Sequence, residues 1–113
     1  MDQLSSVFAA LADPTRRALL QRLSEGDASV SELAEPFAVS QPAISRHLKV
    51  LETAGLISRS RVATARYSHL EAAPLKEATE YMDRYKRFWN RTFDRLDEAL
   101  AHYQATTKET PDE

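Results

Sequence analysis

Ser40, Gln41, Ser45, Arg46 and Lys49 fall within ten residues, interleaved with Ile44, Leu48 and Leu51 at i, i+4 and i+7. On a helix those three apolar positions share one face, so the polar set lies off it. These side chains suit recognition rather than bond breaking. A glutamine amide can pair with adenine, an arginine fork with guanine, and a lysine with phosphate. Ser40 and Ser45 are short enough for close approach to a base or phosphate, and Pro42 and Ala43 offer apolar surface to a thymine methyl. His47, in the same stretch, fits a DNA contact or packing beside the preceding turn. The chemistry is that of a helix reading base edges in the major groove; the alternative is an ordinary solvated face.

Bond-making chemistry finds no support. No nucleophile stands in a motif with a base and an orienting acid, so the chain reads as not an enzyme. It has no cysteine, which removes disulfides, zinc–thiolate sites and thiol catalysis. Two glycines cannot build a glycine-rich phosphate loop. His102 and Glu98 stand at i, i+4 as a weak two-ligand metal candidate, but three dispersed histidines do not make a ligand set. No cofactor or metal is expected.

The elements that position the polar set follow from spacing. Leu4, Val7, Phe8 and Leu11 predict a first amphipathic helix over 3–12. Asp13-Pro14 reads as a cap and first-turn proline, opening a helix from Pro14 to Ser24. Leu19, Leu20 and Leu23 form its buried face; Arg16, Arg17 and Arg22 stay wet, Arg16 being placed to approach a phosphate, with a simple surface role favoured. Ser29 or Ser31 can cap a short third helix, Ser29 with Glu32 three residues on as in a capping box, and Pro36 should end it. Ala38-Val39 makes a turn and Ser40 caps the fourth helix. Two short helices about a tight turn form a helix-turn-helix.

Leu56–Val62 and Ala65–Leu70 alternate with a period near two and predict a hairpin, hence a wing. The link at Ala63-Thr64 lacks glycine, so its turn type is not named. Arg59, Arg61 and Arg66 lie on this hairpin as candidate backbone or minor-groove contacts. Arg59 and Arg61 share a strand face, the alternative being an edge kept soluble by charge. A last helix is expected from about Leu75 to Tyr103, with Leu75, Met82, Trp89, Leu96 and Tyr103 recurring every seven residues. Its apolar surface, with Val7, Phe8 and Leu11 of the first helix, is most economically buried in a homodimer. Aromatic residues from Tyr81 to Phe93 fit packing across that seam or a ligand pocket within it.

The net charge of −2 conceals an asymmetry. Residues 41–69 carry five bases against one acid, a local +4, while 1–40 and 70–113 carry −3 each. A positive field confined to the candidate reading segment suits phosphate. At 113 residues the chain fits one domain, expected over 1–104 with a disordered polar tail at 105–113. Asp2 and Gln3 replace a basic start and no apolar run has membrane-spanning length, so a cytoplasmic protein without membrane partners is expected.

LADPTRRALLQRL, SELAEPFAVSQPAISRHLKVLETAGLI and the strand pair from Arg59 to Leu70 resemble the ArsR family of bacterial winged-helix repressors over nearly the whole chain. The resemblance implies a mainly α (α+β) winged helix-turn-helix with about five helices and a two-stranded wing. It implies a homodimer joined through first and last helices, each subunit reading half of an inverted repeat in double-stranded DNA. It implies DNA contacts from Ser40, Gln41, Pro42, Ala43, Ser45, Arg46 and His47, and more loosely from the wing. Many relatives sense metals through cysteines in the third helix or a histidine–carboxylate set in the last. Here the third helix reads Ser31-Glu32-Leu33-Ala34-Glu35, and the last has no histidine before His102. The expectation is a metal-independent transcriptional repressor. Two alternatives stay open: a repressor answering a small molecule or metal at the dimer seam, and a winged-helix module that binds protein.

Overall fold

The computed structural model describes residues 2–109. Its elements run α1 (Gln3–Leu11), α2 (Pro14–Leu23), β1 (Ala28–Ser29), α3 (Val30–Ala34), α4 (Gln41–Thr53), β2 (Ile57–Val62), β3 (Ala65–Leu70), α5 (Ala72–Asp83) and α6 (Lys86–Glu109). The chain divides into one compact unit through Thr79 and a second from Glu80.

Short polar side chains start the helices. Asp2 accepts from the Ser5 amide at 2.7 Å and Asp13 from the Arg16 amide at 3.1 Å. Each satisfies one N–H that has no partner within its helix. Ser29 and Glu32 close a reciprocal capping box, at 3.2 Å and 3.0 Å, that starts α3. That helix stops at Ala34, two residues before Pro36, which has no N–H to donate into a further turn. Gly55 ends α4 with φ +82°, and a Cβ there would lie 2.6 Å from the Gln3 amide nitrogen. Glycine supplies the left-handed turn, and a side chain there would push the Gln3 amide aside.

The first unit packs around one core. Val7 and Ala10 of α1, Leu19, Leu20 and Leu23 of α2, and Leu33 of α3 meet Ile44, Leu48 and Leu51 of α4. Leu56 and Ile57 at the start of the wing join them, as does Ala78 of α5.

The hairpin is present, with Ile57 opposite Leu70 through to Val62 opposite Ala65. Two features correct the sequence expectation. A third strand, β1, pairs antiparallel with β3, giving the order β1-β3-β2. Two residues are too few to show alternation, which is why the pattern passed over them. The expected last helix is two helices. Around the break the Arg84 and Tyr85 amides donate to carbonyls three residues back, Tyr81 at 3.3 Å and Met82 at 3.0 Å. Neither glycine nor proline marks this point, so nothing in the local sequence signals it. Helix α6 also continues through 105–109, where a disordered tail was expected; the rest of that tail lies outside the described residues.

The wing tip carries strain. Ala63, first of the two loop residues, has φ +56°. Positive φ at this position belongs to a type II′ turn, where glycine is normal. A left-handed L-residue costs about 1–2 kcal/mol, part of which glycine's extra freedom in the unfolded chain gives back. Ala63→Gly should therefore raise stability by up to about 1 kcal/mol, read as a higher urea midpoint at unchanged slope.

His69 anchors the added strand: its Nδ1 lies 2.7 Å from the Asp27 carboxylate just before β1. The hydrogen bond and then the charge of Asp27 raise the His69 pKa above the ordinary histidine value. A raised folded-state pKa stabilises below the unfolded value and ceases to do so as pH climbs through the folded one. Asp27→Asn should thus melt below wild type at mildly acidic pH, and the gap should close as pH rises through the raised His69 pKa.

Candidate nucleic-acid interface

Helix α4 is held by its buried stripe. Ile44, Leu48 and Leu51 are fully buried, and each such side chain contributes about 1.5–3 kcal/mol. With that face turned inward, Pro42, Ser45, Arg46 and Lys49, spaced i, i+3, i+4 and i+7, fall on the opposite one. Pro42, Arg46 and Lys49 are exposed and Ser45 is half-buried. Lys49 lies 3.8 Å from Glu52, leaving most of its side chain in solvent.

The start of α4 is organised by hydrogen bonds. The Ser40 hydroxyl accepts from the Ala43 amide at 3.3 Å, and Pro42 sits in the first turn, where no N–H is needed. Gln41 donates from Nε2 to the Ser31 hydroxyl at 3.4 Å, tying the first residue of α4 to α3. That bond is long and exposed, so the Gln41 amide is easily released. Ala43 is half-buried on the other flank.

His47 occupies that second flank and is engaged inside the protein. Its Nδ1 lies 3.3 Å from Arg16 Nη1 and 4.0 Å from the Asp13 carboxylate. The Arg16 guanidinium also donates to the carbonyls of Ala10, at 2.7 Å, and Ala9, at 3.2 Å. Arg17 donates to the Leu11 carbonyl at 2.7 Å. Two arginines thus close the carbonyl end of α1, where the helix dipole favours cations. The expectation of a wet, surface Arg16 is corrected: it joins α1, α2 and α4. Its partners Ala9 and Ala10 fall seven and six residues back, across the Asp13-Pro14 corner. His47 is 31 residues ahead, a distance that local pattern does not reach. Asp13 is held below the usual carboxylate range, first by the Arg16 amide bond, with His47 and the Arg16 charge adding to it.

The wing arginines are not equivalent. Arg61 stands directly opposite Arg66 in the strand register, and both are exposed. Like charges placed so repel each other, and among the described residues neither is paired with a carboxylate. Arg59 stands opposite the buried Ser68 and is half-buried, with its Nε shielded from solvent. Sharing a strand face with Arg61 therefore does not give it the same reach. Between the start of α3 and the wing lies a concavity of about 310 Å³, lined by Ser31, Thr64, Arg66 and Tyr67 among others.

A family model described as bacterial regulatory protein, arsR family, matches residues 13–59. The chain is 45% identical over 84 residues to the HTH-type transcriptional regulator Rv2034 of Mycobacterium tuberculosis, covering 74% of this chain and 76% of that protein. It is 38% identical over 79 residues to the transcriptional repressor SdpR of Bacillus subtilis, covering 70% and 88%. Among solved structures, an ArsR family transcriptional regulator, RHA00566, superposes with a TM-score of 0.71 at 40% identity, covering 78% of this chain and 91% of its own. A homodimeric winged helix-turn-helix DNA-binding domain from Mycobacterium bovis superposes with a TM-score of 0.59 at 27% identity, covering 89% and 84%.

The Ser40 cap can be tested by stability alone. Ser40→Ala should cost about 1 kcal/mol in urea unfolding, and Ser40→Asp, which caps as well as serine, should recover it.

Proposed function

Because the chain belongs to the arsR family of bacterial regulatory proteins, a family of DNA-binding transcriptional regulators, we propose that it is a homodimeric repressor. It occludes a promoter by binding an inverted-repeat operator. The observation that carries this reading is the outward face of α4, where Pro42, Ser45, Arg46 and Lys49 lie together while Ile44, Leu48 and Leu51 lock the opposite face into the core.

Recognition needs no bond chemistry. Arg46 pairs with guanine, Gln41 with adenine once it leaves Ser31, and Pro42 and Ala43 lie against a thymine methyl. Ser40, Ser45 and Lys49 hold base edges or phosphates. Arg61 and Arg66 stand facing each other with like charge, an arrangement that a phosphate between them relieves. Arg59 contributes less, because its Nε is shielded.

Twofold symmetry follows from apolar surface. Phe8 of α1 is exposed, and so are Phe88, Phe93, Leu96, Leu100 and Tyr103 of α6. Pairing two copies through first and last helices buries such residues, and the Mycobacterium bovis neighbour is homodimeric. Two recognition helices then enter successive major grooves about 34–36 Å apart. Residues 1–104 act as one DNA-binding and dimerising domain. Independence from metal belongs to the same reading: the chain lacks cysteine, and among the described residues no three histidines or carboxylates gather as a ligand set. So does a cytoplasmic site of action; no described helix is long and apolar enough to cross a membrane.

The test uses duplexes selected by the protein from a random pool, followed by fluorescence anisotropy. Arg46→Ala should weaken binding about tenfold or more, the discrimination expected of a bidentate guanine contact, while sedimentation shows the same assembly as wild type. Wild-type affinity should fall steeply as salt rises. An unchanged affinity for Arg46→Ala would remove that residue from the interface, and a salt-independent signal would favour a protein-binding module.

A further inference from the structure

A cavity of about 330 Å³ opens between α1 and α4, wholly within the first compact unit. We propose that it binds a small amphipathic carboxylate, a molecule with one charged end and a short carbon body, and that occupancy weakens DNA binding. The site stands apart from the DNA reading of α4; only its effect on DNA rests on that reading.

The walls are set before any ligand arrives, because α1 is tied to α4 at both ends. At one end Gln3 donates from Nε2 to the Ala54 carbonyl at 3.5 Å, joining the start of α1 to the end of α4. At the other, Arg16 holds the Ala9 and Ala10 carbonyls and touches His47. Between these ties Ser6 and Ala9 of α1 share one helix face and meet Val50, Thr53 and Ala54 of α4. Small-molecule sites are mostly preformed clefts of about 300–1,000 Å³, apolar with a few placed polar groups. This cavity lies at the lower end of that range, so the ligand is small.

The lining selects charge and shape. Ala9, Val50 and Ala54 present carbon, Ser6 and Thr53 add hydroxyls, and Arg16 and Lys49 supply positive charge. No carboxylate lines the cavity, so an anion is favoured there over a cation. A guanidinium has five N–H donors. Three of those on Arg16 go to Ala10, Ala9 and His47, which leaves one on each terminal nitrogen among the described residues. Two such donors match the two oxygens of a carboxylate. Lys49 lies 3.8 Å from Glu52 with 73% of its side chain exposed. An exposed pair of this kind is worth little, so the ammonium turns to another anion at small cost. The carbon wall calls for an organic acid: a bare inorganic anion would leave it uncovered.

Occupancy acts on DNA through charge alone. Lys49 is among the residues assigned to base edges or phosphates, and Val50 follows Arg46 by one turn of α4. A carboxylate seated here takes up the charge of Lys49 and sets a negative charge on the flank of the helix that meets phosphate. Helix α4 need not move, and Ile44, Leu48 and Leu51 stay in the core.

The probes are hexanoate and phenylacetate, each compared with its uncharged amide at neutral pH and one ionic strength. Amide proton–nitrogen spectra of the free, full-length protein should shift saturably at Ser6, Ala9, Val50 and Thr53 for at least one acid. Hexanamide and phenylacetamide should bind about tenfold more weakly or worse, the loss expected when a hydrogen-bonded charge is removed. Ala9→Leu extends a side chain into the cavity from an exposed position where leucine suits a helix. It should weaken binding of the acid by a similar factor while resonances of the wing stay in place. Shifts that do not saturate, shifts centred on α6, amides that bind as well as the acids, or an Ala9→Leu protein that binds like wild type would each overturn the site. Fluorescence anisotropy then follows a duplex that wild type selects from a random pool. The bound acid should weaken DNA binding about fivefold or more, the lower end of ordinary coupling between two sites, and Ala9→Leu should remove the effect. A filled cavity with unchanged DNA affinity overturns the effect on DNA. If wild type selects no duplex, the DNA reading of α4 falls alone, and the titration still decides the site.

Discussion

Three side chains set the angle at which this protein meets its surroundings. Ile44, Leu48 and Leu51 are wholly buried, and turning α4 about its axis would bring them into water at a cost of several kcal/mol. The outward direction of Ser45, Arg46 and Lys49 is a consequence of that burial. A recognition face needs this rigidity, because hydrogen bonds to base edges are lost when the donors turn away from them. The rest of the first unit serves the same stripe. Helices α1, α2 and α3 supply the apolar wall against which it packs, and Leu56 and Ile57 carry the wall into the wing.

Electrostatics supplements the packing at one corner. Two consecutive arginines, Arg16 and Arg17, close the carbonyl end of α1. One of them also reaches His47, so the polar network holds α4 on a flank beside its apolar stripe. The Asp13 carboxylate is shared among the start of α2, Arg16 and His47. The wing shows the opposite pattern. Arg61 and Arg66 are opposed, and among the described residues neither is paired with a carboxylate.

Much of this could be read along the chain. The helix-turn-helix, its caps at Asp13 and Ser40 and the two wing strands follow from short-range pattern, and family membership follows from the same segments. The failures share a cause. Strand β1 is two residues long and exists only because β3 lies beside it. The break at Arg84–Tyr85 interrupts a seven-residue apolar repeat that continues on both sides, so periodicity alone favoured one helix. The strained tip at Ala63 has no glycine to signal it. Arg16 looked like a solvated residue because its partners are backbone carbonyls across a corner and a ring 31 positions ahead.

Residue order by itself determined the first four helices and the two wing strands, which faces are apolar, and where positive charge concentrates. Those properties depend on neighbours within a few positions, through hydrogen-bond periodicity, capping and side-chain alternation. Tertiary structure decided which polar residues remain available. Arg46 and Arg61 stay exposed, Arg59 is half-hidden, and Arg16 and His47 are taken up by the protein itself. That division depends on which backbone groups and rings arrive next to a side chain after folding, and chain-local spacing carries no information about contacts closed across tens of residues.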